Sequence, residues 1–191
     1  MHYVLDILQG AGLALACGVN PFLPVLLAGA LASADLGLDF DGTAFAFLEN
    51  PWFLLAVAAG LVASVLMRAR FETPRGQAAL GGLGIGLGAL VCAAAVDDRS
   101  DDWWPALPVG LACAALGAAV TTQILVRTRR RLDPQAQAAL PLYAGGFSLL
   151  EGGLAVLLPP ISIVSVGLFA WLAAGRRRRE GQKYAGLRIL R

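Results

Sequence analysis

The residue best suited to proton or ion chemistry is Glu151, because it stands alone: Leu149-Leu150-Glu151-Gly152-Gly153-Leu154 sets one carboxyl inside an apolar run. An ionisable side chain facing lipid at mid-depth costs on the order of 2.5–3.5 kcal/mol, so it is expected to face a bundle interior, to pair, or to hold a proton. The plainer alternative is a neutral carboxyl satisfied by backbone or by Thr and Gln donors. Asn20, Pro21 and Pro24 form the second group, at the middle of the apolar stretch LALACGVNPFLPVLLA over residues 13–28. Proline lacks the backbone donor and clashes with the carbonyl four residues back, so two prolines three apart must kink or unwind a helix. Unwound backbone at membrane depth survives only where protein or a water-filled cavity satisfies it. Asn20 therefore either patches freed backbone groups or belongs to a site. Thr121, Thr122 and Gln123 are the third group, near the end of another apolar run. They either line a cavity or bond back to their own helix. These seven residues are the candidate substrate-binding set.

Other chemistries find no pattern to rest on. His2 is the single histidine, and Cys17, Cys92 and Cys113 lie in apolar segments without metal-ligand or CxxC spacing, which points to small packing residues, no metal and no disulfide. Asp97, Asp98, Asp101 and Asp102 lack calcium-loop spacing and read as a solvated cap. The glycines from Gly81 to Gly88 are not a phosphate loop, since neither a Gly-Lys-Ser/Thr nor a strand accompanies them. Without paired carboxylates or a nucleophile set, the reading is not an enzyme and no cofactor.

The elements that must position these residues are membrane helices. Apolar residues make up 58% and charged residues 15% of the 191, and mean hydropathy is +0.69. Soluble domains carry roughly 45–50% apolar and about 25% charged residues. The excess predicts an all-α integral membrane protein of five to six transmembrane segments, with broken or re-entrant helices at Asn20–Pro24 and Pro159–Pro160. The first apolar segment, Tyr3 to Ala34, is either one broken span or two half-length helices that dip in and return. Basic residues gather at Arg68, Arg70 and Arg75, at Arg127 and Arg129–Arg131, and from Arg176 onward. Acidic ones gather at Asp35–Glu49 and Asp97–Asp102. The positive-inside rule puts the basic clusters in the cytoplasm, the C-terminus included. Topology explains these clusters better than nucleic-acid binding does. Residues 1–175 form one membrane domain and 176–191 a polybasic tail, in which Arg176, Arg177, Arg178, Arg179 and Lys183 suit anionic lipid headgroups. The first residues lack Lys and Arg and their apolar core is interrupted by proline, which argues against a cleaved signal peptide.

Two internal echoes hint at duplication. Pro74–Leu80 matches Pro134–Leu140 in five of seven positions, and Pro21–Ala28 resembles Pro105–Ala112. Gly82/Gly86 and Gly84/Gly88 are overlapping GxxxG pairs, for packing within the subunit or for a homo-oligomer seam.

GVNPFLPVLLAGALA, then LENPWFLLAVAAGL and a Gly/Ala-rich span, resembles the bacterial membrane proteins of domain-of-unknown-function family 4126. Gly18, Phe22, Leu23, Pro24, Pro51 and Trp52 carry the likeness, over about the first ninety residues. This chain departs from the family pattern at Val65-Leu-Met-Arg68 and Glu72-Thr-Pro74, where members tend to carry acidic residues and a Lys-x-Pro. The resemblance implies a bacterial inner-membrane location and brings no activity with it. The expected function is a transporter or lipid flippase, with both helix breaks meeting near Glu151 around a midplane site. The alternative is a scaffold or partner subunit assembling through glycine-rich faces.

Overall fold

The computed structural model describes residues 2–67, 73–97, 102–129 and 131–185, without the side chains of 2, 74, 134, 135, 138 and 176–185. Arg68, Arg70, Glu72, Asp98, Arg99, Asp101, Arg130, Arg188 and Arg191 lie outside those residues, as do the side chains of Arg176–Arg179 and Lys183. The described chain is helical, with no strand among the described residues: α1 (His2–Val19), α2 (Leu23–Ala32), a 3₁₀ turn (Ala46–Leu48), α3 (Pro51–Leu66), α4 (Pro74–Asp97), α5 (Ala106–Arg129), α6 (Pro134–Leu157) and α7 (Ile161–Ala185).

Local chemistry sets the boundaries. Asn50 accepts the Trp52 amide through Oδ1 at 2.9 Å, with Pro51 in the first turn of α3, where its missing donor costs nothing. Pro134 opens α6 in the same way, although the Asp133 side chain makes no capping bond. Pro141 sits inside α6 without ending it. Helix α7 does not stop at Gly175 but continues through the arginine run to Ala185.

Contacts between distant residues give each helix its direction. Tyr3 Oη reaches the Asp102 carbonyl at 3.4 Å, so α1 begins at the end of the bundle that carries the acidic loops. Gln9 Nε2 donates to the Gly37 carbonyl at 2.9 Å, which brings the chain after α2 back to that same end. Helices α1 and α2 are therefore a re-entrant hairpin, the second of the two arrangements open to the Tyr3–Ala34 segment. The halves are unequal, 18 and 10 residues. From the acid end α3 runs to the arginine end, α4 returns, α5 descends and α6 rises. Helix α7 then descends again. Pro74 and Pro134 thus open helices of the same direction.

The expected second break is different in kind. Helix α6 runs uninterrupted for 24 residues to Leu157, and Val156 Cγ1 lies beside Gly37 in the acid-end loop. Pro159–Pro160 is the turn between α6 and α7 at that end, not an unwinding at depth. A proline pair removes two consecutive backbone donors, and it ends a helix at the surface as readily as in the interior.

Helix α1 is the axis of the bundle. Leu13, Ala14, Leu15, Ala16 and Cys17 are wholly buried, and α1 packs against α4, α5, α6 and α7. Small residues allow the close approach to α4 and α5. A Cβ at Gly84 would stand 2.6 Å from the Cys17 carbonyl oxygen, and one at Gly110 2.6 Å from Cys92 Cβ. Cβ atoms at Gly18 and Gly117 would collide with the Ala114 and Leu15 carbonyls. The three cysteines are buried in this packing.

The acid end is plugged by its own loop. Leu38, Phe40, Phe45 and Leu48 are buried there, and Phe45 meets Trp103 edge-on at 5.3 Å. Asp97 Oδ2 accepts the Ala44 amide at 2.9 Å. Gly37 and Gly42 turn the loop at φ +77°, a conformation that costs glycine little.

Among the described residues three helices are long and apolar enough to cross a membrane: Arg75–Asp97, Ala106–Arg129 and Ala139–Leu157. Tyr3–Val19, Leu23–Ala32, Pro51–Leu66 and Ile161–Gly175 are apolar but shorter. Of the expected five to six spans, three thus meet the length of a crossing among the described residues, because the re-entrant pair divides one segment and α3 and the apolar part of α7 fall below 18 residues.

Candidate functional site

The depth of the Asn20–Pro21 interruption is fixed by its neighbours. Gly84 lies against Cys17 and Pro21. At ~1.5 Å per residue it is about 15 Å from the Pro74 end of α4 and about 20 Å from the Asp97 end. Gly18 lies against Ala114 and Ala118, likewise in the middle of α5. The hairpin therefore reaches only the middle of the bundle. Above it, α1 and α2 fill the interior. Below it no described residue replaces them, and α3, packed chiefly on α2 and the 3₁₀ turn, and α6, which barely touches α5, stand apart around a void.

That void is a cavity of about 840 Å³ opening toward the arginine end. Gly18 to Leu23 form its roof, and its walls come from the arginine halves of α3, α4, α5 and α6. The lining is mostly apolar: Phe22, Leu61, Val65, Leu80, Leu125 and Leu149 are typical. Polar groups sit at two levels. Asn20, Thr121 and Thr122 are at the roof, and Ser64, Gln77 and Arg129 are toward the mouth.

Asn20 does what a residue at broken backbone must do. Its Oδ1 accepts the amides of Phe22 and Leu23 at 3.0 and 3.2 Å, and Pro24 next along carries no donor. Two amides at the start of α2 are thereby satisfied by the chain itself. With the oxygen so used, the Asn20 amide nitrogen lies on the Gly145 side of the cavity. The C-terminus of α1 and the N-terminus of α2 meet here, so opposite ends of two helix dipoles share the roof. Phe22 completes it by lying against Gly60 of α3, where a Cβ would come within 2.8 Å of the ring.

Of the residues singled out from the sequence, Asn20, Pro21, Thr121 and Thr122 line one cavity. Pro24 does not; it is buried behind the roof, toward Gly152 of α6. Gln123 is absent from the lining, because one residue beyond Thr122 the helix has turned by about 100°. Glu151 is also elsewhere, 6% exposed and facing the seam between α6 and α7, where the Ser165 hydroxyl lies beside its carboxyl. The expected convergence of two breaks on Glu151 does not occur, since one break is at mid-depth and the other is a turn at the acid end. Ser64, Gln77 and Arg129 escaped sequence reasoning. Arg129 carried a usable signal: it is seven residues from Thr122, two helical turns along the same face of α5.

Among the described residues no group of three or more His, Cys, Asp or Glu side chains is placed to hold a metal ion. Neither the curated proteins nor the solved structures provide a match to the chain. A family model does, and its span of residues 7–179 extends the likeness from the first ninety residues to most of the sequence. The broken first helix, the Asn50-Pro51-Trp52 helix start and the bundle built on them thus belong to one continuous family domain, and the chain is a member of the family described as Domain of unknown function (DUF4126).

Proposed function

We propose that this protein is a carrier, resident in the bacterial inner membrane with its arginine end in the cytoplasm, for a lipid or similar amphiphile with an anionic headgroup. The supporting observation is the half-depth hairpin above an 840 Å³ cavity, a volume within the roughly 300–1,000 Å³ of small-molecule sites. An apolar body suits the Phe22, Leu61 and Leu149 walls. The headgroup suits the mouth, where Arg129 and Gln77 lie and the Arg75, Arg127 and Arg131 positions are within two residues of them in sequence. Gaps flanking α3 and between α5 and α6 offer a sideways path from the bilayer. Anionic headgroups attract juxtamembrane basic residues by about 1 kcal/mol each, and Arg176–Arg179 with Lys183 would add to that attraction. A broken helix at the midplane is where membrane carriers place their sites. Binding and movement, rather than catalysis, are the activity we assign.

Gly81 and Gly146 supply the test. Both line the cavity, and in both cases a Cβ would meet nothing within 4 Å. Gly81→Trp and Gly146→Trp should therefore fill the void without straining the fold. Proteoliposomes of the full chain, loaded with a fluorescent phosphatidylglycerol, should exchange the probe between leaflets faster than empty liposomes, and either tryptophan should reduce the difference at least fivefold. Unchanged exchange in both variants, at wild-type thermal stability, would remove the cavity from the reading.

A second reading, assembly as a scaffold, draws on one observation. Gly84 and Gly88 are consumed within the subunit, whereas Gly82 and Gly86 point into open space on the outer face of α4.

A further inference from the structure

The bundle buries few polar side chains, and most of them lie along one line. Gln9, Ser148, Glu151 and Ser162 are all 6% exposed or less. Gln9 touches the acid-end loop through the Gly37 carbonyl. Ser162, in the first turn of α7, lies against Gly12 of α1 together with Ala155 of α6. One turn back from Ala155 along α6 is Glu151, with Ser165 of α7 beside it. A further turn back is Ser148, whose hydroxyl donates to the Gly145 carbonyl at 2.8 Å. Gly145 borders both Asn20 and the cavity. The line thus joins the plugged acid end to the roof of the void.

Two of its oxygens, Glu151 Oε1 and Ser162 Oγ, have no hydrogen-bond partner among the described residues. Buried polar atoms are normally satisfied, and exceptions call for a reason. Among the described residues no cation faces Glu151 from the helices packed on α6. Helix α2 carries no charged residue, α1 offers Asp6 and, in its first turn, His2, both nearer the acid end, and Ile161 to Gly175 of α7 contain none. Arg127 and Arg129 of α5 are at the arginine end. An ionised carboxylate without a counter-charge is disfavoured in such surroundings, whereas a carboxylic acid among hydroxyls can donate as well as accept.

We propose that Glu151 holds an exchangeable proton on a hydroxyl-lined path between the acid end and the cavity. A proton enters along the Gln9–Ser162 side. As it reaches the carboxyl, the Glu151 proton leaves to a neighbouring hydroxyl oxygen while that hydroxyl gives its own proton to water in the cavity, so one proton is released for each that enters and the charge of the seam is unchanged. The site needs no cavity occupant, and its test is separate from the lipid assay.

The measurement is infrared spectroscopy of the full chain in lipid vesicles, moved from H₂O to D₂O with no added ligand. A protonated-carboxyl carbonyl band should be present and should shift on deuteration within minutes. Glu151→Gln should remove it. Glu151→Asp should move its frequency while leaving it exchangeable, which covers the case in which the Gln variant fails to fold. Ser162→Ala should slow the shift at least threefold. A band that is absent, that survives Glu151→Gln, that keeps its frequency in Glu151→Asp, or that stays undeuterated over hours would overturn the assignment. So would an unchanged rate in Ser162→Ala.

Discussion

Glycine serves two opposite purposes within about two turns of α4, and the difference lies in what a single methyl group would meet. At Gly84 it would press on the Cys17 carbonyl, and at Gly88 on Ala114 Cβ at 2.7 Å. At Gly82 and Gly86 it would meet nothing. The tight positions recur on α1 and α5 at Gly18 and Gly117, where the obstacle is backbone that cannot rotate away. Overpacking a close contact typically costs about 1–3 kcal/mol, and substitutions at open positions stay within about 0.5 kcal/mol. Gly18→Val and Gly117→Val should therefore lower resistance to unfolding in detergent by at least that overpacking cost. Gly82→Val and Gly86→Val should leave it unchanged. Equal losses at all four positions would mean that the outward pair is also covered, as a stable oligomer would require. Asn20 shows the same economy at a polar position: one side-chain oxygen serves two amides freed by the break.

At the scale of elements, the hairpin of α1 and α2 sets what the other helices can do. The prolines announced it, because a missing donor and a ring clash act locally and are readable wherever they occur. Depth was not readable in the same way. Pro159–Pro160 carries the same local signal as Pro21 and Pro24, yet lies in a turn at the acid end. Only the neighbours in space, Gly84 and Ala114 of two helices for one and Gly37 of the acid-end loop for the other, distinguish the two cases. Rotation about a helix axis was equally hidden: Thr122 and Gln123 are adjacent polar residues of similar appeal, and one lines the cavity while the other does not. Arg129 was read as a topology signal and proved to be part of the lining as well. A labelling experiment tests the hairpin directly, and the burial of all three native cysteines keeps its background low. Cysteines introduced at His2 and at Leu36, which is 58% exposed, should react with a membrane-impermeant maleimide from the same side. One at Arg131 should react only from the other. Labelling of His2→Cys and Leu36→Cys from opposite sides would replace the hairpin with a single crossing.

For the molecule as a whole, the two ends are built unequally, and this follows from the hairpin's length. Helix α1 has 18 residues and α2 has 10, against 24 in each of α4, α5 and α6. The interior of the acid half is therefore filled, and its loop adds Phe40 and Phe45 as a plug. The arginine half must either collapse or stay hollow. Collapse would require α5 and α6 to close on each other, but both already lean on α1 above, and α6 also holds α2. The void that results has threonines at its roof and an arginine toward its mouth, which admits water more readily than an all-apolar cavity of the same size. Wetness is the property that a carrier reading needs and a solid bundle lacks. A charged, water-soluble thiol reagent added from the arginine side should modify Thr122→Cys at least tenfold faster than Ser148→Cys, which is wholly buried one turn from the cavity wall. Filling the void with Gly146→Trp should slow the Thr122→Cys reaction to near the Ser148→Cys rate, because the indole occupies the path the reagent takes. Modification of both cysteines at one rate, unaffected by the tryptophan, would mean that the arginine half closes around its own side chains in the bilayer and offers nothing to a solute.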